Sequence, residues 1–287
     1  MSRLKFCVGK RAAEPYYIKK LHIRLYSMEE LCFYLCENAS LLDEELLKKE
    51  LIVWIDEECG MAELAKQLYE IIHFDGTVHS FASAVLTAVC FKSPEEIKLL
   101  EKRIRTYEEM DQVKRKKAQA DHIFLSGRYA LALEAYTELI EKLLRQEQEK
   151  KVTEDEFQHK MALLLHNLAT TCARMFFFEA AAGLYEKAYS YVKEDVELKC
   201  ILCCKKLSLS NAEYEKFVQT RKEYESLTEE VTKLIGQFDA QWSQMAEKKS
   251  FEEISLQKDL GNRDKYRELL LEKINGWKKQ YQFYVMY

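Results

Sequence analysis

Proline and glycine are scarce, with 2 and 8 residues in a chain of 287. A many-stranded β fold needs turn residues about every 8–12 positions, so this shortage argues against one. The glycines are never grouped, and no loop of clustered backbone amides is available to cradle a phosphate. Long apolar runs are also missing. The longest, "FASAVLTAVCF" (Phe81 to Phe91), falls well short of the roughly 20 residues that span a bilayer, so no membrane partner is expected. The opening "MSRLKFCVGKRAAEPYY" has no apolar core of a secretory signal. The nine cysteines are therefore expected as free thiols in a cytoplasmic protein. Neither sign of charge dominates: 44 Lys and Arg face 48 Asp and Glu, for a net charge of −4. That balance gives no general attraction to nucleic acid, and no nucleic-acid partner is expected. No Gly-x-Ser-x-Gly and no His-Glu-x-x-His occurs. One Glu-x-x-His pair, Glu156 and His159, lacks the symmetric mate that a di-iron bundle requires. The expectation is a protein that is not an enzyme and carries no cofactor.

Helical signals fill the chain. Ser27 and Glu30 in "SMEE" form a capping box ahead of Leu31, Tyr34 and Leu35, which share one helix face. Asp43 opens a second helix through Leu46, Leu47, Ile52 and Ile55, which Gly60 ends. A third runs from Met61 to His73, and Phe81–Phe91 reads as the buried centre of an N-terminal bundle. Ser93 caps the next helix, with Pro94 in its first turn. A small β-hairpin is expected between "LKFCVG" and "HIRLYS" near the start. The two helices around Gly60 offer only Glu63, Lys66 and Gln67 where a DNA-reading helix wants a basic or amide face, and they read as plain helix packing. The run "KRKK" (Lys114 to Lys117), among acidic neighbours, reads as a solvated face.

The most specific pattern lies in the middle. In "AQADHIFLSGRYALALEAYTELI" the small residue Ala120 precedes Ile123 by three, Gly127 and Tyr129 mark a turn, and Ala132, Tyr136 and Leu139 follow. In "LLLHNLATTCARMFFFEAAAGLYEKAY" Leu165, Leu168, Ala169, Cys172, Phe178, Ala181, Tyr185 and Ala188 repeat the arrangement. Small residues let the two helices of a hairpin approach, and the aromatics fill the gap to the next hairpin. The pattern resembles the tetratricopeptide repeat (TPR). It departs from it in Lys116 and Gln119, which stand at apolar positions, and in Phe176, which stands where glycine belongs. The two copies are 49 residues apart rather than about 34, with the extra length in the charged "RQEQEKKVTEDEFQH". A third hairpin, "DVELKCILCCKKLSLSNAEYEKFV", follows by position.

The resemblance implies a right-handed superhelix of hairpins whose first helices line a partner-binding groove. Its contact positions fall on Lys114, Lys117, Asp121, Phe124 and Leu125 in the first copy. In the second they fall on Leu163, His166, Asn167, Thr170, Ala173 and Arg174. Lys117 and Asn167 match the clamp with which some members hold a peptide's terminal carboxylate. Asp121 replaces an asparagine there and would repel a carboxylate, so the clamp is not carried over.

From Asn211 a long helix is expected, with Phe217, Tyr224, Val231, Phe238 and Met245 on a heptad seam and Leu227 and Leu234 between them. Tyr266, Leu269, Leu270, Ile274, Trp277 and Tyr281 form a second stripe. A break near Ser250 or at "LGNRD" would fold one helix back on the other as an antiparallel pair, which either caps the repeats or joins two chains as a homodimer. In "LKCILCCKKL" the sulfurs of Cys200, Cys203 and Cys204 share a helix face with Val196 and Leu207, with Lys199 and Lys206 outside. That face reads as packing, since a structural zinc needs four ligands and no second pair is nearby.

The expected fold is all-α, in three parts. Residues 1–92 form a helical bundle, 93–210 a TPR-like hairpin array, and 211–287 a long helical hairpin. The expected function is a scaffold or adaptor that binds a protein or peptide in the groove. The alternative is a regulator in which the array senses a peptide and controls the N-terminal helices.

Overall fold

The computed structural model describes residues 8–74 and 76–285, with side chains as far as residue 280. It is an all-α protein with fourteen α-helices and one two-stranded sheet among the described residues. The chain divides into two compact units, one ending at Glu197 and the other beginning at Leu198.

The first unit opens on strands β1 (Tyr16–Ile18) and β2 (Ile23–Leu25), which pair antiparallel with Tyr16 opposite Leu25. The strand in "HIRLYS" pairs with Tyr16–Ile18, and most of "LKFCVG" lies outside the described residues. Ser27 caps α1 (Met28–Glu37) by accepting from the Glu30 amide, and the Glu30 carboxylate reaches back one residue further than expected, to the Tyr26 amide at 2.6 Å.

The helix expected from Asp43 to Gly60 is broken. Asp43 caps a 3₁₀ turn, Glu44–Leu47, and α2 (Lys49–Val53) then widens into a π turn, Trp54–Glu58. The wider turn brings both Trp54 and Ile55 into the core, and the Trp54 indole N–H donates to the Glu14 carbonyl at 2.9 Å. Next come α3 (Ala62–His73), α4 (Val78–Ala88) and α5 (Pro94–Glu108). Thr77 with Ser80 and Ser93 with Glu96 close full capping boxes at the starts of α4 and α5, and Pro94 occupies the first turn of α5.

Four longer helices complete this unit: α6 (Gln112–Leu125), α7 (Tyr129–Gln148), α8 (Glu154–Arg174) and α9 (Phe178–Val192), each packed on the next. The charged segment 145–159 is absorbed by the end of α7, a short turn and the start of α8, so it lengthens the helices. One continuous apolar core runs from Ala12 to Ala188. The division expected after residue 92 falls inside that core, because α5 and α6 both pack against the turn Ala39–Leu41 that follows α1.

Helix α10 (Asp195–Ser208) carries the change from one unit to the next. The second unit continues with α11 (Asn211–Val218), α12 (Lys222–Gln244), α13 (Ala246–Asp259) and α14 (Arg263–Val285). The long helix expected from Asn211 is interrupted twice, before Lys222, where Arg221 is extended, and at Met245, which is also extended. The antiparallel pair is α13 with α14, joined by a turn in which Gly261 has φ +71°. Phe251 meets Trp277 across that pair at 5.9 Å. The break lies at the "LGN" position and not at Ser250, which is inside α13. Tyr281 and the aromatic end of the chain lie outside the described side chains.

Candidate functional site

The two central hairpins, α6–α7 and α8–α9, match one another at the 49-residue offset. Ala120 and Ala169, and Ala132 and Ala181, have no exposed surface. Such small residues let paired helices approach closely. The turns match as well: Gly127 has φ +74° and Phe176 has φ +64°. Phe176 thus holds a left-handed conformation that costs an L-residue about 1–2 kcal/mol, with its ring standing out in solvent.

A polar relation repeats at the same offset. Tyr136 and Tyr185 are buried rings whose hydroxyls reach back to the first helix of their own hairpin. The Tyr136 hydroxyl donates to Asp121 Oδ1 at 2.7 Å. The Tyr185 hydroxyl lies 2.8 Å from that of Thr170, which itself donates to the His166 carbonyl, so Tyr185 is the donor in the pair. Burial pushes the Tyr136 phenol well above its ordinary value, and the Asp121 charge adds to the shift.

Asp121 is the centre of the site. Lys117 pairs with its other oxygen at 2.6 Å, and Asn167 on α8 donates to Oδ1 at 3.3 Å. The Asn167 bond joins the outward faces of α6 and α8. Further along α8, His166 meets Glu197 Oε1 at 2.9 Å, and its ring stands edge-on to Tyr185 at 5.3 Å. Glu197 is 4% exposed, and its second oxygen has no partner among the described residues.

The groove positions therefore separate into two groups. Lys117, Asp121 and Asn167 meet directly, whereas His166 and Thr170 gather round Tyr185 as a second cluster. Phe124 is half-buried with its ring against Tyr129 at 5.6 Å, and takes no part in the polar cluster. Lys114 and Arg174 are exposed and have no ion-pair partner among the described residues. Leu125 and Leu163, on the same two faces, are 81% and 47% exposed. Asp121 is already neutralised by Lys117, so neither residue is open to a partner's charge. The tyrosine hydroxyls and Glu197 are members of the site that repeat position alone does not reveal.

The basic run Lys114 to Lys117 is not wholly solvated. Arg115 Nη2 donates to the Leu42 carbonyl at 2.9 Å, tying α6 to the N-terminal segment. His122 Nε2 meets Asn38 Oδ1 at 3.1 Å, and Arg128 donates to the Leu21 carbonyl. Burial lowers the His122 pKa, and Arg103 lowers it further.

On α10, Leu198, Ile201, Leu202 and Cys204 are buried and Cys200 and Cys203 half-buried, while Val196 and Leu207 are exposed. The packed face is thus turned away from the one expected. The lysines are part of the packing too: Lys199 pairs with Glu230 at 2.7 Å, and Lys205 and Lys206 lie over the rings of Phe217 and Tyr214. Burial raises the Cys203 thiol pKa, away from the reactive thiolate. Among the described residues no three His, Cys, Asp or Glu side chains are grouped to hold a metal ion, and no helix is long and apolar enough to cross a membrane.

No protein-family model matches this chain, and no curated protein or solved structure matches it.

Proposed function

We propose that the chain is a non-enzymatic adaptor, with a TPR-like hairpin array that binds an extended, acidic protein segment across the faces of α6 and α8. The observation that carries this reading is the Asn167–Asp121 bond. It makes one surface of two helix faces whose own polar groups are mostly satisfied internally, while Lys114 and Arg174 form no ion pair among the described residues and Leu125 and Leu163 stay exposed. Unpaired cations alternating with exposed leucines favour a ligand that alternates carboxylates with apolar side chains. The repeated burial and turn geometry at the 49-residue offset supports the repeat reading. The buried thiols Cys59 and Cys172 and the half-buried Cys203, all with raised pKa, fit a reducing, cytoplasmic setting.

Fluorescence polarisation with labelled Glu-Glu-Leu and Lys-Lys-Leu repeat peptides tests the reading. The acidic peptide is expected to bind, and a Lys114→Glu, Arg174→Glu variant to lose at least about tenfold in affinity, or roughly 1.4 kcal/mol. Equal binding of the two peptides, or no change in the double variant, would sink it.

A second reading has its own observation. Arg115, His122 and Arg128 clamp the first hairpin to the segment 21–42, so a ligand that tilts α6 would pull on the N-terminal helices. In that reading the array is the sensor of a regulator.

A further inference from the structure

We infer that the second half of α12 is a self-association surface, and that its occupant is α12 of a second copy of this chain. On a helix wheel Tyr224, Leu227, Val231, Leu234, Phe238, Trp242 and Met245 fall within one stripe about 80° wide. The stripe has two different fates along its length. Its first half is covered by neighbours in the same unit. Tyr224 and Val231 are each 1% exposed, Phe217 stacks on Tyr224 at 5.0 Å, and Lys199 of α10 holds Glu230. Its second half is not covered by the described residues: Leu234, Phe238, Trp242 and Met245 are 45%, 61%, 43% and 47% exposed. This uncovered part runs for about three turns, or roughly 16 Å of helix.

Charge points to a second copy as the occupant. From Val231 to Met245 the sequence is "VTKLIGQFDAQWSQM", and its only charged residues are Lys233 and Asp239. They lie about 140° and about 100° round the helix from the centre of the stripe. The flanking positions are Gln237, Gln241 and Gln244. In a two-fold contact the same patch faces itself, and a seam free of charge meets its copy without like-charge repulsion. A different, charged partner would need complementary charges along the rim to be selected, and this rim offers only Asp239. Nor does the exposed half resemble an ordinary solvated helix in a chain where 32% of residues are charged.

The area sets the strength. Four large apolar side chains, each about half exposed, present roughly 400 Å² per copy, at the upper end of what an ordinary monomer shows. A pair would bury about 800 Å² in total, which is the range of weak, transient association. The surface therefore predicts a reversible dimer with a dissociation constant in the micromolar range rather than an obligate one. It is independent of the peptide surface on α6 and α8.

Sedimentation equilibrium of the full chain between about 1 and about 200 μM tests this. A monomer–dimer equilibrium is expected, with Phe238→Glu raising the dissociation constant at least tenfold while far-UV circular dichroism stays unchanged. The milder Leu234→Gln should weaken the dimer too, which covers a failure of the glutamate variant to fold. A chain that stays monomeric throughout overturns the inference. So does a dimer indifferent to both substitutions. A monomer whose tryptophan emission shifts only on addition of phosphatidylcholine vesicles also overturns it, in favour of a lipid surface.

Discussion

The repeated tyrosine bond allows a paired test, because its acceptor is charged in one hairpin and neutral in the other. Replacing Tyr136 or Tyr185 by phenylalanine removes one hydroxyl and leaves each ring's packing intact, since both rings are buried. The Tyr136 hydroxyl serves a carboxylate, and a bond to a charged group contributes about 1.5–3 kcal/mol. The Asp121 side chain is 35% exposed, so water replaces part of the lost donation and the expected cost is at the lower end, about 1.5 kcal/mol. The Tyr185 hydroxyl serves another hydroxyl, and its loss costs about 0.5–1 kcal/mol. Urea unfolding monitored by circular dichroism measures both. A double-mutant cycle of Tyr136→Phe with Asp121→Ala isolates the pair, with an expected coupling of about 1 kcal/mol. The same bond predicts an alkaline effect. A phenol whose pKa is raised on folding stabilises the native state fully below its unfolded value of 10.0, and this contribution fades as pH rises past that value. Tyr136→Phe should therefore flatten the loss of stability above pH 10.0. If Tyr136→Phe lies within about 0.3 kcal/mol of the wild type and the coupling is zero, Asp121 does not organise the hairpins as argued.

Three further outcomes follow from single residues. Gly127→Ala meets no atom within 4 Å, so its cost is purely that of φ +74°, about 1 kcal/mol. Phe176→Gly at the matching turn should change stability in the opposite direction, by up to about 1 kcal/mol after the greater freedom of glycine in the unfolded chain is subtracted; differential scanning calorimetry reads both, and a destabilised Phe176→Gly would show that the ring is held by contacts rather than strained. His122 has a folded pKa below its ordinary 6.5, so the native state binds fewer protons than the unfolded one. Stability should be full above pH 6.5 and decline as pH falls below it, and His122→Gln should remove that slope in a pH series of thermal melts.

The all-α class was legible because it rests on counts and periods. Few glycines and prolines, clear caps at Ser27 and Ser93, and apolar stripes at helical spacing are local properties. The breaks were harder to read. The stretch from Asp43 to Gly60 has a helical composition throughout. What splits it is the need to bury Trp54 and Ile55 together and to find the indole N–H a carbonyl, a demand set by Glu14, forty residues earlier. The seam from Asn211 failed in the same way. Heptad spacing continues from Phe217 to Met245, but the backbone turns before Lys222 and again at Met245, and no residue type at either place announces it.

The site shows a similar limit. The structure places Lys117, Asp121 and Asn167 near one another, on neighbouring faces of α6 and α8. Repeat position carried no information about which charges would be used up inside the protein. Asp121 looked like an obstacle to an anionic ligand, yet Lys117, Tyr136 and Asn167 all converge on it. Lys117, a natural candidate for gripping a carboxylate, is the residue that pays for this. On these two faces the cations without an ion pair among the described residues are Lys114 and Arg174, which the same pattern ranked no higher than the rest. A repeat face should be assessed by the charge left over after its internal pairs are formed, and here that remainder is positive.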